Sequence, residues 1–175
     1  RIFLIGSMTN PSLSSVGVNS TTARRWIRKG PRLMIERIPQ KGGYYLYRPS
    51  VNPAKCRPET PEQIDFVAWV RYNHPEHAEM MVHVANEGEQ TPQYRQQLYK
   101  MGLLKGASDL LFFIGPGCAI EMKQCKWSAT TRPEQKEFLG RWAASGKFGA
   151  VCHGCEAAKV AFFEYLSLDW NLQPG

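Results

Sequence analysis

The spacing of apolar residues changes along the chain, and each change marks an element. Leu33–Ile38 and Tyr44–Tyr47 are short runs rich in Ile, Leu and Tyr, joined through Lys41-Gly42-Gly43, and they predict two strands of a hairpin. Val51–Pro61 is proline-rich without periodicity and reads as a linker. Thr60-Pro61-Glu62-Gln63 then has the form of a capping box, with Thr60 as N-cap, Pro61 at the first helical position and Gln63 three residues after the cap. Phe66, Trp69, Val70 and Asn73 continue one helical face, and Pro75 ends the helix. Met80–Ala85 predicts a strand and Pro92–Met101 a helix closed by Gly102. Asp109–Ile114 is nearly all apolar, as suits a strand covered on both faces. Gly115-Pro116-Gly117 turns the chain into a further strand, Cys118–Lys123. Thr131 and Pro133 open a third helix, with Gln135, Phe138, Leu139 and Trp142 on one side and Gly146 at its end. Phe148–Cys152 reads as a short strand, and Glu156–Leu166 as a closing helix with Ala158, Phe162 and Tyr165 on one stripe.

From the first helix onward the order is helix, strand, helix, strand, strand, helix, strand, helix, which predicts a three-layer α/β domain with a central mixed sheet flanked by helices. The 175 residues allow one such domain with an appendage. No apolar run approaches the roughly 18–20 residues that a bilayer span needs.

Charge divides the chain at about the same place as the pattern does. Residues 1–61 carry 11 Lys/Arg against 2 Asp/Glu, whereas residues 62–175 carry 11 against 13. The expected organisation is therefore a basic N-terminal arm over 8–59, partly flexible and with a possible hairpin, followed by a folded core domain over 60–175. Arg1–Ser7 ends in Gly-Ser before Met8, reads as a tag remnant, and is set aside. Arg24, Arg25, Arg28 and Lys29 cluster around Trp26 and suit a polyanion, because each phosphate contact by such a side chain releases condensed counterions. The aromatic residues of the arm also suit a dimer interface.

Five cysteines, an odd number without a secretory signal, predict reduced thiols in a cytoplasmic protein. Cys152-His153-Gly154-Cys155 is a lone CxxC. A structural zinc wants a second ligand pair, and a redox role wants a thioredoxin-like setting; with neither present, ordinary buried thiols are expected. His74, His77, His83 and His153 are expected to be structural or exposed.

The chemistry lies in Asp109 and in Glu121-Met122-Lys123. Glu121 and Lys123 stand two apart in a strand and point to one face. A three-residue turn pairing Ile114 with Cys118 would place Asp109 on that face too, diagonally across from Glu121. Two carboxylates held together repel unless a cation neutralises them, and Mg²⁺ or Mn²⁺ suits an all-oxygen site beside a phosphate. An ammonium at Lys123 would offset charge developing on that phosphate.

These segments resemble a known family. Asn86-Glu87-Gly88, Gly102 to Leu110, Ile120-Glu121-Met122-Lys123 and Glu134-Gln135-Lys136, followed by Ala150-Val151-Cys152 and Glu156-Ala157-Ala158, are similar to the successive motifs of the VRR-NUC nucleases, a branch of the PD-(D/E)XK superfamily. The likeness spans about residues 62–166; Ser108 departs from it, standing where the family commonly has proline.

The resemblance implies a restriction-endonuclease-like core that hydrolyses phosphodiester bonds in DNA with Mg²⁺ or Mn²⁺. It also implies branched substrates such as Holliday junctions or flaps, and a homodimer. Asp109, Glu121 and the backbone carbonyl of Met122 would hold the ion, with Glu62 acting on it through water. Lys123 would serve the attacking water, and Gln135 would position water or phosphate. Glu62 could instead only complement the helix dipole, and Gln135 could be simply a first-turn polar residue. Lys100 and Lys105 are expected to contact DNA, whereas Glu87 and Glu89 are expected in a loop. The rival readings are a catalytically silent DNA-binding module and a zinc or redox protein using the CxxC.

Overall fold

The computed structural model describes residues 2–4, 34–84 and 91–168. Its strands are β1 (Ile2–Leu4), β2 (Met34–Pro39), β3 (Tyr45–Pro49), β4 (Met81–His83), β5 (Leu110–Phe112), β6 (Cys118–Lys123) and β7 (Phe148–His153). Its helices are α1 (Glu59–Asn73), α2 (Pro75–Ala78), α3 (Pro92–Lys100), α4 (Pro133–Ala144) and α5 (Cys155–Ser167). One mixed sheet runs in the order β1-β2-β3-β7-β6-β5-β4. β6 and β7 pair in parallel across the α4 crossover, β3 is parallel to β7, and the remaining neighbours are antiparallel.

Period-two alternation along β6 assigns a layer to each side of the sheet. Cys118, Ile120 and Met122 enter a core with Phe66 and Val70 of α1 and with Ala158, Phe162 and Tyr165 of α5. Ala119, on the opposite face, packs with Phe138 and Leu139 of α4. Burying each large apolar side chain stabilises the fold by about 1.5–3 kcal/mol, so the inner strand is fixed in register from both sides. The predicted α/β architecture, with a mixed sheet between helical layers, is the observed one.

Several boundaries differ from expectation. The turn between β5 and β6 is five residues rather than three, because pairing begins at Phe112↔Cys118 rather than at Ile114. The odd length preserves which face each residue takes. However, it slides the register by two positions, so extending the ladder one residue back puts Asp109 directly across from Glu121 instead of diagonally.

Helix α1 begins at Glu59, with Pro58 at the cap position and no side-chain cap, so Thr60 lies inside the first turn rather than capping it. Ile2–Leu4, set aside above, forms the outermost strand against β2.

The charge shift near residue 60 marks no break in the sheet. β3 hydrogen-bonds to β7 in the middle of the sheet, and the buried Tyr47 hydroxyl donates to Glu164 of α5 at 2.8 Å. Cys56 and Cys125 form a disulfide, a correction to the all-thiol expectation; Cys118, Cys152 and Cys155 are free and buried. No helix among the described residues is long and apolar enough to cross a membrane.

Candidate metal centre

The end of β6 delivers two charged side chains into a nearly closed space. Glu121 has no exposed surface, and Lys123 and Asp109 retain only 7% and 8% of theirs. Asp109 stands just before β5, where its Oδ2 accepts the Met122 N–H at 2.7 Å and so fastens the loop to β6. That loop also lies against α4: at Gly106 (φ 78°) a Cβ would come within 2.5 Å of the Glu134 carbonyl. Glycine there lets the Asp109 segment and the start of α4 meet.

Lys123 Nζ donates to Glu121 Oε1 and to the Met122 carbonyl, both at 2.7 Å, and lies 3.7 Å from Glu59 Oε2. Gln135, in the first turn of α4, donates through Nε2 to the same Glu121 oxygen, while its Oε1 accepts the Arg132 N–H at 2.9 Å. Gln135 therefore caps its helix and also reaches the acid. Among the described residues, Glu121 Oε2 is buried with no hydrogen-bond partner.

The electrostatics follow from this packing. Burial, and then the neighbouring Asp109 carboxylate, push the Glu121 carboxyl up to about 8. Burial pulls the Lys123 ammonium down, but Glu121, Glu59 and Asp109 outweigh it and hold the group above the ordinary lysine range. Lys123 is thus the fixed cation, and Glu121 is the group whose proton is hard to remove.

An orphaned carboxylate oxygen, a second carboxylate beside it and a backbone carbonyl in reach make an oxygen-only donor set that fits a hard divalent ion. Such an ion would supply positive charge where Asp109, Glu121 and Glu59 face a single ammonium.

Glu62 bonds to the start of α5. Its Oε2 accepts the Cys155 N–H at 2.8 Å, at the first turn of α5, and its Oε1 lies 4.0 Å from Arg57. The α1 acid that reaches Lys123 is Glu59, which the capping-box reading had left outside the helix. Glu59-Thr60-Pro61-Glu62 carries two acids three apart, about one helical turn, and a cap at Thr60 excludes the first of them from the helix.

Lys105 is exposed and paired with Glu134 at 2.6 Å, and Lys100 ends the exposed helix α3. Arg24, Arg25, Trp26, Arg28, Lys29, Glu87 and Glu89 lie outside the described residues. His83, expected to be merely structural or exposed, has its Nδ1 3.0 Å from both the Asp109 carbonyl and Gln63 Nε2. Among the described residues the CxxC joins no group of three ligating side chains; Cys152 is wholly buried, and burial raises both thiols, Cys155 to about 11.

Comparison with solved structures gives one match of direct bearing: a protein titled "VRR_NUC domain protein", at TM-score 0.55 and 21% identity, covering 65% of this chain and 92% of the other. The chain has the VRR-NUC fold. No protein-family model and no curated protein matches the sequence. The VRR-NUC likeness therefore rests on three-dimensional form; of the motif segments, Ile120–Lys123 lies in β6 and Ala150–Cys152 in β7, Glu134–Lys136 and Glu156–Ala158 open α4 and α5, and Asn86–Gly88 lies outside the described residues.

Proposed function

We propose that this VRR-NUC-type domain is a divalent-metal-dependent deoxyribonuclease that hydrolyses phosphodiester bonds. The observation that carries the reading is the orphaned Glu121 Oε2, buried beside Asp109 and Lys123. The fold match to a protein named for a nuclease domain supports the class. Asp109, Glu121 and the Met122 carbonyl would hold Mg²⁺ or Mn²⁺, which when bound polarises a phosphate and stabilises its developing charge. Gln135 and Lys123 occupy Glu121 Oε1 and so leave Oε2 presented to the ion. Lys123, charged and held by Glu59 and Glu121, places an ammonium beside the reacting phosphate and orients the attacking water.

The motif order described above supports a finer reading, in which the substrates are branched DNA, a four-way junction or a flap, and the working form is a homodimer. In this reading the arm residues Arg24, Arg25, Trp26, Arg28 and Lys29, with Lys100 and Lys105, grip the DNA backbone.

The test is a cleavage panel of linear duplex, single-stranded, flap and four-way DNA with Mg²⁺ and with Mn²⁺. Cleavage that requires the ion supports the reading, with branched substrates cut fastest. DNA binding without cleavage of any substrate under either ion would establish the silent binding module instead.

A further inference from the structure

A second group of ligating side chains lies at the far end of α1 from Glu59. Fifteen residues at 1.5 Å each put it about 20 Å from the acidic site along that helix. There α1 stops at Asn73 and the chain turns at once into α2, with His74 as the junction. The His74 carbonyl accepts the backbone N–H groups of His77 and Ala78, each at 3.0 Å, which fixes the spacing between the two imidazoles. Aromatic rings then hold them in place. His74 packs on Trp69, Phe162 and Phe163 at centroid distances of 5.1, 5.3 and 5.8 Å, and His77 packs on Phe162 at 5.6 Å. Glu76 reaches back so that its Oε1 lies 2.9 Å from His77 Nδ1. One ligating atom from each of His74, Glu76 and His77 falls within 4.8 Å of the other two.

We propose that His74, Glu76 and His77 form a binding site for a borderline transition-metal ion, with zinc the expected occupant, at the α1–α2 corner. Two imidazole nitrogens and one carboxylate are a donor set that zinc accepts and magnesium does not favour. Bonds of about 2.1 Å place tetrahedral ligands about 3.4 Å apart, so the three atoms need to close by little more than an ångström. Glu76, with 61% of its side chain exposed, is free to make that movement, whereas the two rings are already ordered. Burial holds His74 below the ordinary histidine range and therefore neutral, the form that ligates. The exposed side of the site leaves a further position to solvent. The site shares no residue with the acidic centre and carries the opposite preference in metal type.

The test is isothermal titration of the full chain with Zn²⁺ in millimolar Mg²⁺, so that the oxygen-rich centre is already supplied. The wild type should take one zinc per chain. His77→Gln and Glu76→Gln should each weaken binding by about tenfold or more, and Glu121→Ala should bind as the wild type does. His74 is left unchanged because its ring also packs the core. Zinc binding absent from the wild type, retained undiminished in His77→Gln or Glu76→Gln, or lost in Glu121→Ala, would overturn the assignment. Because the readout is zinc binding alone, its failure leaves the nuclease reading untouched.

Discussion

Lys123 Nζ and Glu121 Oε1 are 2.7 Å apart inside the protein, and Gln135 donates to that same oxygen, so one side of the Glu121 carboxylate is saturated while the other meets no donor among the described residues. A buried acid divided in this way is costly unless something outside the chain completes it. The account of this protein rests on that asymmetry.

Cation binding should depend steeply on pH. Burial and Asp109 keep the Glu121 carboxyl protonated to about pH 8, and an ion can take Oε2 only after the proton leaves. Below pH 8 the proton competes, so the affinity for Mn²⁺ should rise about tenfold per pH unit toward 8 and then level off. Calorimetric titration with Mn²⁺ between pH 6 and 9 measures this, and an affinity flat across that range would refute the competition.

Glu59 and Glu62 should part company under substitution. Glu59→Gln removes the carboxylate that lies 3.7 Å from the Lys123 ammonium, and should lower the cleavage rate by about tenfold or more with little change in stability. Glu62→Ala removes the acceptor of the Cys155 N–H at the start of α5, and should cost about 1 kcal/mol of stability with cleavage largely kept. Chemical denaturation and single-turnover cleavage of both variants check the pair, and the reverse pattern would assign the catalytic role to Glu62 instead of Glu59.

The Cys56–Cys125 disulfide joins the segment just before α1 to the loop just after Lys123, across 69 residues of sequence. Opening a loop of that length costs up to about 4 kcal/mol on chain entropy alone. Cys125→Ser should therefore lower the melting temperature of the oxidised protein markedly and slow cleavage, since Glu59 and Lys123 lie within a few residues of the two ends. A melting temperature unchanged in Cys125→Ser would show that the link contributes nothing to the fold.

Much of this was legible in the residues. Period two over Cys118–Lys123 fixed the faces, and the apolar run from Asp109 placed β5 inside the sheet. What failed was local geometry that tertiary packing decides. The length of the Phe113–Gly117 turn depends on where pairing starts, which no residue in it states. Thr60 had the chemistry of a cap, yet Pro58 and the packing of Glu59 against Lys123 start the helix earlier. The hairpin read as an appendage because its charge is basic, and its partner strand β7 lies about a hundred residues away. The Cys56–Cys125 pairing arises from folding across 69 residues and was not visible, whereas His74, Glu76 and His77 are neighbours in sequence that the α1–α2 turn brings together.

The most direct measurement is single-turnover cleavage of a four-way DNA junction in Mn²⁺ by the wild type, Glu121→Ala and Lys123→Ala, with junction affinity measured alongside. The account predicts cleavage by the wild type only, with both variants still binding the junction to within a few-fold. Cleavage at the wild-type rate by either variant would contradict it.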